Sequence, residues 1–459
     1  MKITPTSDPI YSTIPSTVRL LAILLLTSLM MTWIPISAQE AFDPPEIPMQ
    51  IRAHSVGAEE ITLDGLLRED SWTEAQVVSG FTQREPIQGD PASFDTEVRI
   101  LYSAQFLYVG AICHDSLDRR NALRMLNMQR DFQPYRNDRF GVAIDGLMDK
   151  RNAVGFEVTP FGSQRETQVI DGDEWDGNDN WDALWYVRTS INDSSWVVEM
   201  AIPWKTLRYK EDSREMLISF NRNIRRYNEI TTWPAYPRVF SHFRMAYAAL
   251  LTNIAPPPPK ANIQINPYVL GNTGRSQAGL EEPEEHRDLK VGGEFKWAIT
   301  PSAVLDGTIN TDFAQADVDQ QVQNLTRFSV LFPERRQFFL ENADIFRTSS
   351  ASFIQPFFSR RIGLDSNGQP IPIDAGLRFT SRTGQQTSGV MAVRQSAGSD
   401  TPATNFAVGR YVRNFSGQSR LGGLITYRRD ESFQQNGEMI ASEDNATATI
   451  NTFFRPQQS

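Results

Sequence analysis

One cysteine in 459 residues, four scattered histidines and no block of lysine or arginine close several routes at once. Cys113 has no internal disulfide partner, and inside the apolar run "LYVGAIC" it reads as a small core residue. His54, His114, His242 and His286 show no HExxH-type spacing, which argues against a structural zinc site. A net charge of −10 without a basic stretch argues against a nucleic-acid partner. No GxSxG, P-loop or Cys/His nucleophile pair occurs, so no active site is recognisable. Helical signals are also scarce, confined to "REDSWTEA" (68–75) and "PWKTLRY" (203–209).

What is present supports packed structure. The apolar fraction of 40% and charged fraction of 22% exclude global disorder, and the length favours two or three domains. "LLAILLLTSLMMTWIPISA" (20–38) follows Arg19 and ends in small residues, as a signal peptide over residues 1–38 does. The alternative is an uncleaved anchor, because the run is nearly long enough to span a bilayer. Pro35 and the Ser-Ala ending favour cleavage, and hence export.

"NIAPPPPKANIQINPY" divides the remainder: residues 253–261 read as an extended proline-rich linker between 39–252 and 262–459. Upstream, short strand-like runs such as "TEVRILY", "DRFGVAID" and "SWVVEMAIP" alternate with Gly, Asp and Asn turns. That spacing predicts an all-β, antiparallel, jelly-roll-like β-sandwich. Downstream the alternation is stricter. In "DLKVGGEFKWAIT", Leu289, Val291, Phe295, Trp297 and Ile299 share one face, and Lys290, Glu294 and Lys296 the other. Eight such segments start near 262, 288, 303, 375, 387, 405, 419 and 446. A soluble sandwich would turn the apolar face inward, whereas an outer-membrane barrel turns it to lipid. The export signal, the strand length and the arginine-rich polar face favour antiparallel membrane β-barrel strands.

Two resemblances bear on function. "ITLDGLLREDSWTEA", "FTQREPIQGDPASFDTEVRILYSAQFLYVGAICHD" and "SWVVEMAIPWKTLRY" resemble the family 9 carbohydrate-binding-module-like domain over about 47–250. That resemblance implies a sandwich that holds a polysaccharide or oligosaccharide, often beside structural calcium. "TINTDFAQADVDQQVQNLTRFSVLFPERRQFFLENADIF" and "PFFSRRIG" resemble an outer-membrane barrel domain of unknown function. It implies contact with outer-membrane lipid, with the module periplasmic or surface-exposed. Relatives of that kind run on further, and this chain stops at "INTFFRPQQS", so the barrel is expected to be incomplete.

Residues 313–363 interrupt the alternating strands and mix charge with aromatics. They are expected to fold as a plug or loop insert in the barrel, with Glu334, Arg335, Arg336, Glu341, Arg360 and Arg361 pairing among themselves and with a charged wall. "DGDEWDGNDNWDALW" (171–185) gathers oxygen ligands that suit Ca²⁺, with Asp171, Asp173, Asp176 and Asp179 as candidates, or else is a solvated acidic loop. Trp175, Trp181, Trp233 and Tyr135 lie in turn-rich stretches and could stack on sugars, while Arg222, Arg225 and Arg226 of "FNRNIRRYNE" could bind an anionic glycan or else pair with the acidic loop. Trp72, Trp196 and Trp204 read as core. The expected role is glycan capture in carbohydrate breakdown at the outer membrane. The alternatives are a glycoside hydrolase of O-glycosyl bonds with its acid and base in the acidic loop, and a transport or secretion barrel with a protein-binding sandwich.

Overall fold

Strand alternation in the first half resolves into two packed sheets. The computed structural model describes residues 48–115, 123–170, 173–179, 181–259, 262–276, 284–300, 302–311, 334, 336–340, 342–346, 356–364, 371–398, 401–415, 419–435 and 438–454. The expected signal peptide lies outside them. Strands β1 (Gln50–Arg52), β2 (His54–Ser55), β3 (Thr82–Glu85), β4 (Thr96–Tyr102), β5 (Phe106–His114), β6 (Arg139–Asp145) and β7 (Ala153–Val158) come first. They are followed by β8 (Gln164–Ile170), β9 (Asp173–Asn178), β10 (Tyr186–Ile191), β11 (Ser195–Pro203), β12 (Met216–Ile224), β13 (Glu229–Trp233) and β14 (Ala249–Thr252). One sheet runs β1-β14-β12-β6-β7-β8-β9, with β13 added to β12 and β3 to β13. The other runs β10-β11-β5-β4-β2.

Period-2 alternation decides which side chains meet between them. Phe140, Val142 and Ile144 of β6, Phe156 and Val158 of β7, and Ile218 and Phe220 of β12 face Val98, Ile100, Val109, Val198 and Met200 in one core. The outer face of the second sheet is covered by α1 (Asp70–Glu74), whose Trp72 packs with Leu101, Tyr108 and Ala201. Gly110 makes that approach feasible, since a Cβ there would lie 2.6 Å from the Trp72 ring. Trp72, Trp196 and Trp204 are all in the core.

The linker is anchored to the sandwich: Tyr209 Oη donates to the Pro257 carbonyl at 2.9 Å. Beyond it come β15 (Asn262–Ser276), β16 (Glu284–Thr300), β17 (Ala303–Thr311), β18 (Ile373–Arg382), β19 (Gln386–Gln395), β20 (Thr404–Asn414) and β21 (Arg420–Asp430). The hairpin β22 (Phe433–Gln435) and β23 (Glu438–Ile440) stands apart, and β24 (Glu443–Phe453) returns to β21. The eight long strands form one antiparallel meander, β15-β16-β17-β18-β19-β20-β21-β24. Among the described residues β15 and β24 do not pair, so the sheet is open and no closed barrel is formed.

One face of this sheet is apolar and exposed. Cross-strand pairing lines up Ile263, Trp297, Leu305, Phe379, Val390, Gly409, Ile425 and Ala448 in one row. Ile265, Phe295, Gly307, Leu377, Ala392, Ala407, Tyr427 and Ala446 form the next. Neither row carries a charge. Ile263, Ile265 and Ile425 are 59%, 70% and 62% exposed. The opposite face buries Asp306 and Arg378, paired at 2.9 Å, with Thr308 and Thr380.

That charged face is where the aromatic-rich insert packs. Phe338 and Phe339 of α2 (Gln337–Leu340), together with Ile345, Phe346 and Ile362, cluster on Ile373, Met391, Val393, Val408 and Leu424. Glu334 and Arg336 form a buried pair at 2.7 Å, and Arg336 also donates to the Ile362 and Ser359 carbonyls. The Arg378 guanidinium lies 5.4 Å from the Phe338 ring centroid. Arg360 is buried, whereas Arg361, expected to pair within the insert, is exposed. Arg335 and Glu341 lie outside the described residues.

Candidate functional site

The strands that close the sandwich also decide which predicted residues can meet a ligand. Trp181 and Trp233 cannot: they are 9% and 4% exposed and belong to the intersheet core, Trp181 tilted against Phe156 and Trp233 against Phe220. Neither leaves a ring face for a pyranose, which corrects the sequence expectation. Arg222 is likewise structural. It is 1% exposed and points inward from β12, donating to the Asp95 carbonyl (3.1 Å), Thr96 Oγ1 (3.2 Å) and the His114 carbonyl (2.7 Å). It ties one sheet to the other. Tyr135 is half-buried with the Arg139 guanidinium 5.8 Å from its ring centroid. Trp175 lies on β9, and its side chain is outside the description.

The acidic loop resolves in part. Asp179 accepts from Arg165 Nη2 at 2.7 Å. Asp182 is held by Arg130 at 2.9 Å. Asp171 and the side chains of Asp173 and Asp176 lie outside the description. Among the described residues no group of three His, Cys, Asp or Glu is placed to hold a metal.

The outer face of the first sheet carries a buried charge network. Glu157 on β7 accepts from Arg139 on β6 and Arg165 on β8, neighbours across the ladder. In the amide orientation that satisfies both groups, Asn221 donates to His242 Nε2 (3.1 Å) and accepts from Arg139 Nη1 (2.6 Å). Burial, with the charges of Arg139, Arg84 and Arg165, holds the His242 imidazole well below its ordinary pKa and therefore neutral. Phe243 covers this face, and Gly155 admits it, since a Cβ there would lie 2.4 Å from the ring. The network is a rigid floor with no solvent-facing nucleophile.

One end of the sandwich presents a different surface. Phe94 precedes β4, and the 3₁₀ turn Arg225–Tyr227 follows β12. Asn228, at φ +52°, ends that turn and leaves Tyr227 50% exposed. The Phe94 and Tyr227 rings are stacked, 14° apart in plane with centroids at 6.0 Å, and Arg226 lies 4.9 Å from each centroid. Asp115 bridges Arg226 and Arg222, while His114 meets Glu97 at 3.1 Å nearby. Such a surface offers ring faces to sugar C–H groups and polar atoms to hydroxyls. The sequence pointed to Arg226 of "FNRNIRRYNE" but not to the aromatic pair, because Phe94 and Tyr227 come from distant segments.

The comparisons fit this division of the chain. Residues 63–232 match the family model described as carbohydrate family 9 binding domain-like, and residues 259–383 match that of a domain of unknown function, DUF5916. The first of these matches falls on the sandwich. Two solved structures of a family 9 carbohydrate-binding module from Caldicellulosiruptor kristjanssonii are similar. The complex with cellotriose is 14% identical over 45% of this chain and 100% of that one, with a TM-score of 0.30. The complex with glucose is 14% identical over 44% and 94%, with a TM-score of 0.31. No curated protein matches the chain.

Proposed function

We propose that this is an exported glycan-capturing protein of the outer membrane: the sandwich binds a polysaccharide or oligosaccharide, and the eight-stranded sheet forms barrel wall against lipid. The observation that carries the membrane part is the pair of charge-free apolar rows facing outward across all eight strands, over a reverse face of buried charge. In water such a face would be a large exposed apolar patch; in a bilayer it is the wall that lipid requires. The insert on the charged face then acts as the plug. The family match over 63–232 supports carbohydrate as the ligand class, and the Phe94–Tyr227 end is the surface suited to it. Capture would serve carbohydrate breakdown carried out by other proteins.

The test is calorimetry of the full chain in detergent against a glycan panel, with calcium and with chelator. Saccharide binding weakened at least ten-fold by Tyr227→Ala is expected. Loss of binding with chelator would assign calcium to Asp171, Asp173 and Asp176. Silence across the panel from folded protein would sink the glycan reading and favour a transport barrel whose sandwich binds protein.

A further inference from the structure

A largely apolar cleft that also carries several polar groups lies where the sandwich meets the insert and the C-terminal sheet. Its walls come from the ends of β6, β7 and β8, the 204–208 turn, the 342–346 segment and the β17–β18 end of the open sheet. Asn178 on β9 holds the two parts together, its amide donating to the Leu340 carbonyl at 2.8 Å. Amides and hydroxyls dominate the polar lining: Gln168, Thr206, Asn342, Thr380 and Ser381. Val154, Leu207 and Ile345 supply apolar wall.

The charged groups at this cleft have partners of their own. Asp145 accepts from the Leu147 and Lys150 backbone amides at 3.0 and 2.8 Å, closing its own turn. Arg208 and Arg382 each have partners. The neutral groups are less fully used. The side chains of Gln168 and Ser381 have no hydrogen-bond partner among the described residues. Asn342, in the left-handed region at φ +53°, spends its amide nitrogen on Thr380 Oγ1 at 3.2 Å. A ligand matched to these neutral groups is rich in hydroxyls, which both donate to and accept from amides and hydroxyls.

We propose that this cleft is a second saccharide site, taking a neutral mono- or disaccharide, separate from the aromatic end of the sandwich. The site rests on the reading of the protein as a glycan binder. It lies against the insert, so a short sugar bound there contacts Asn342 and Thr380 as well as the sandwich residue Gln168. It places a small ligand beside the segment that would have to move if the sheet's charged face were to admit solute.

The test uses the full chain carrying Tyr227→Ala, which removes the aromatic end, titrated by calorimetry with glucose, xylose and maltose. Saturable binding is expected to persist in that background and to weaken at least ten-fold on adding Gln168→Ala with Asn342→Ala. Ser381→Ala, a change at a half-buried hydroxyl, is the milder variant and is expected to weaken binding about three-fold without disturbing the fold. Small-sugar affinity unmoved by all three changes overturns the proposal, as does absent small-sugar binding while the wild-type chain still captures polymer. If the wild type binds neither polymer nor small sugar, the glycan reading itself fails.

Discussion

Glu157 has no exposed surface and two arginines, and that imbalance makes it the most sensitive residue of the sandwich. Removing one partner of a buried ionic group leaves the other charge uncompensated, at roughly 3–5 kcal/mol. Glu157→Gln is therefore expected to lower stability by about that much in urea unfolding followed by tryptophan fluorescence. Asp182→Asn, where the carboxylate is 83% exposed, is expected to cost under about 1 kcal/mol. Equal effects would mean the network is not buried as described. Glu199 gives a pH counterpart. Burial pushes its carboxyl up to about 7 despite bonds from the Gly65 and Asp64 amides. The folded state then holds a proton that the unfolded state has released, so stability is fully present below about pH 4.5 and falls as pH rises through 7. Glu199→Gln is expected to flatten that decline, and an unchanged slope across this window would refute the assignment. Asp145, also pushed up to about 7, would leave a residual slope in the same direction.

At the level of elements, the insert depends on missing side chains. A Cβ on Gly389 would come within 2.7 Å of Ile345 and 2.9 Å of the Phe346 ring, and one on Gly376 within 3.0 Å of Phe338. Gly389→Val should therefore lift the insert off the sheet while leaving the strand pairing intact. Faster cleavage by added protease within 334–364 is the expected readout, and cleavage at the wild-type rate would show that the packing does not need the glycine. Period-2 alternation made the eight C-terminal strands legible in sequence, because each turns one face to solvent or lipid and the other to charge. The site was less legible for a physical reason. Strand β12 is buried along its whole length, so no alternation distinguishes Arg222, which points into the intersheet side, from a ligand-facing arginine. Turn-region tryptophans such as Trp181 become core only once Phe156 closes over them, and Phe94 finds Tyr227 only through the folded sandwich.

For the whole molecule, water and lipid make opposite demands on the outer face of the eight-stranded sheet. Leu377 and Ile425 stand in adjacent rows of that face, 50% and 62% exposed. In water a lysine at either position would be tolerated, since surface substitutions usually change stability by no more than about 0.5 kcal/mol. Facing the bilayer midplane, the same lysine costs about 2–4 kcal/mol, less toward the interface. Leu377→Lys is thus expected to weaken folding into lipid vesicles by that amount while leaving the water-exposed sandwich unchanged, as read by its urea transition. Arg394→Leu, on the same face but at a strand end and paired with Glu431 and Asp374, serves as the comparison in water, where losing an exposed pair costs little. If Leu377→Lys folds into vesicles as readily as wild type, the apolar rows do not face lipid, and the covering must be sought in another protein surface.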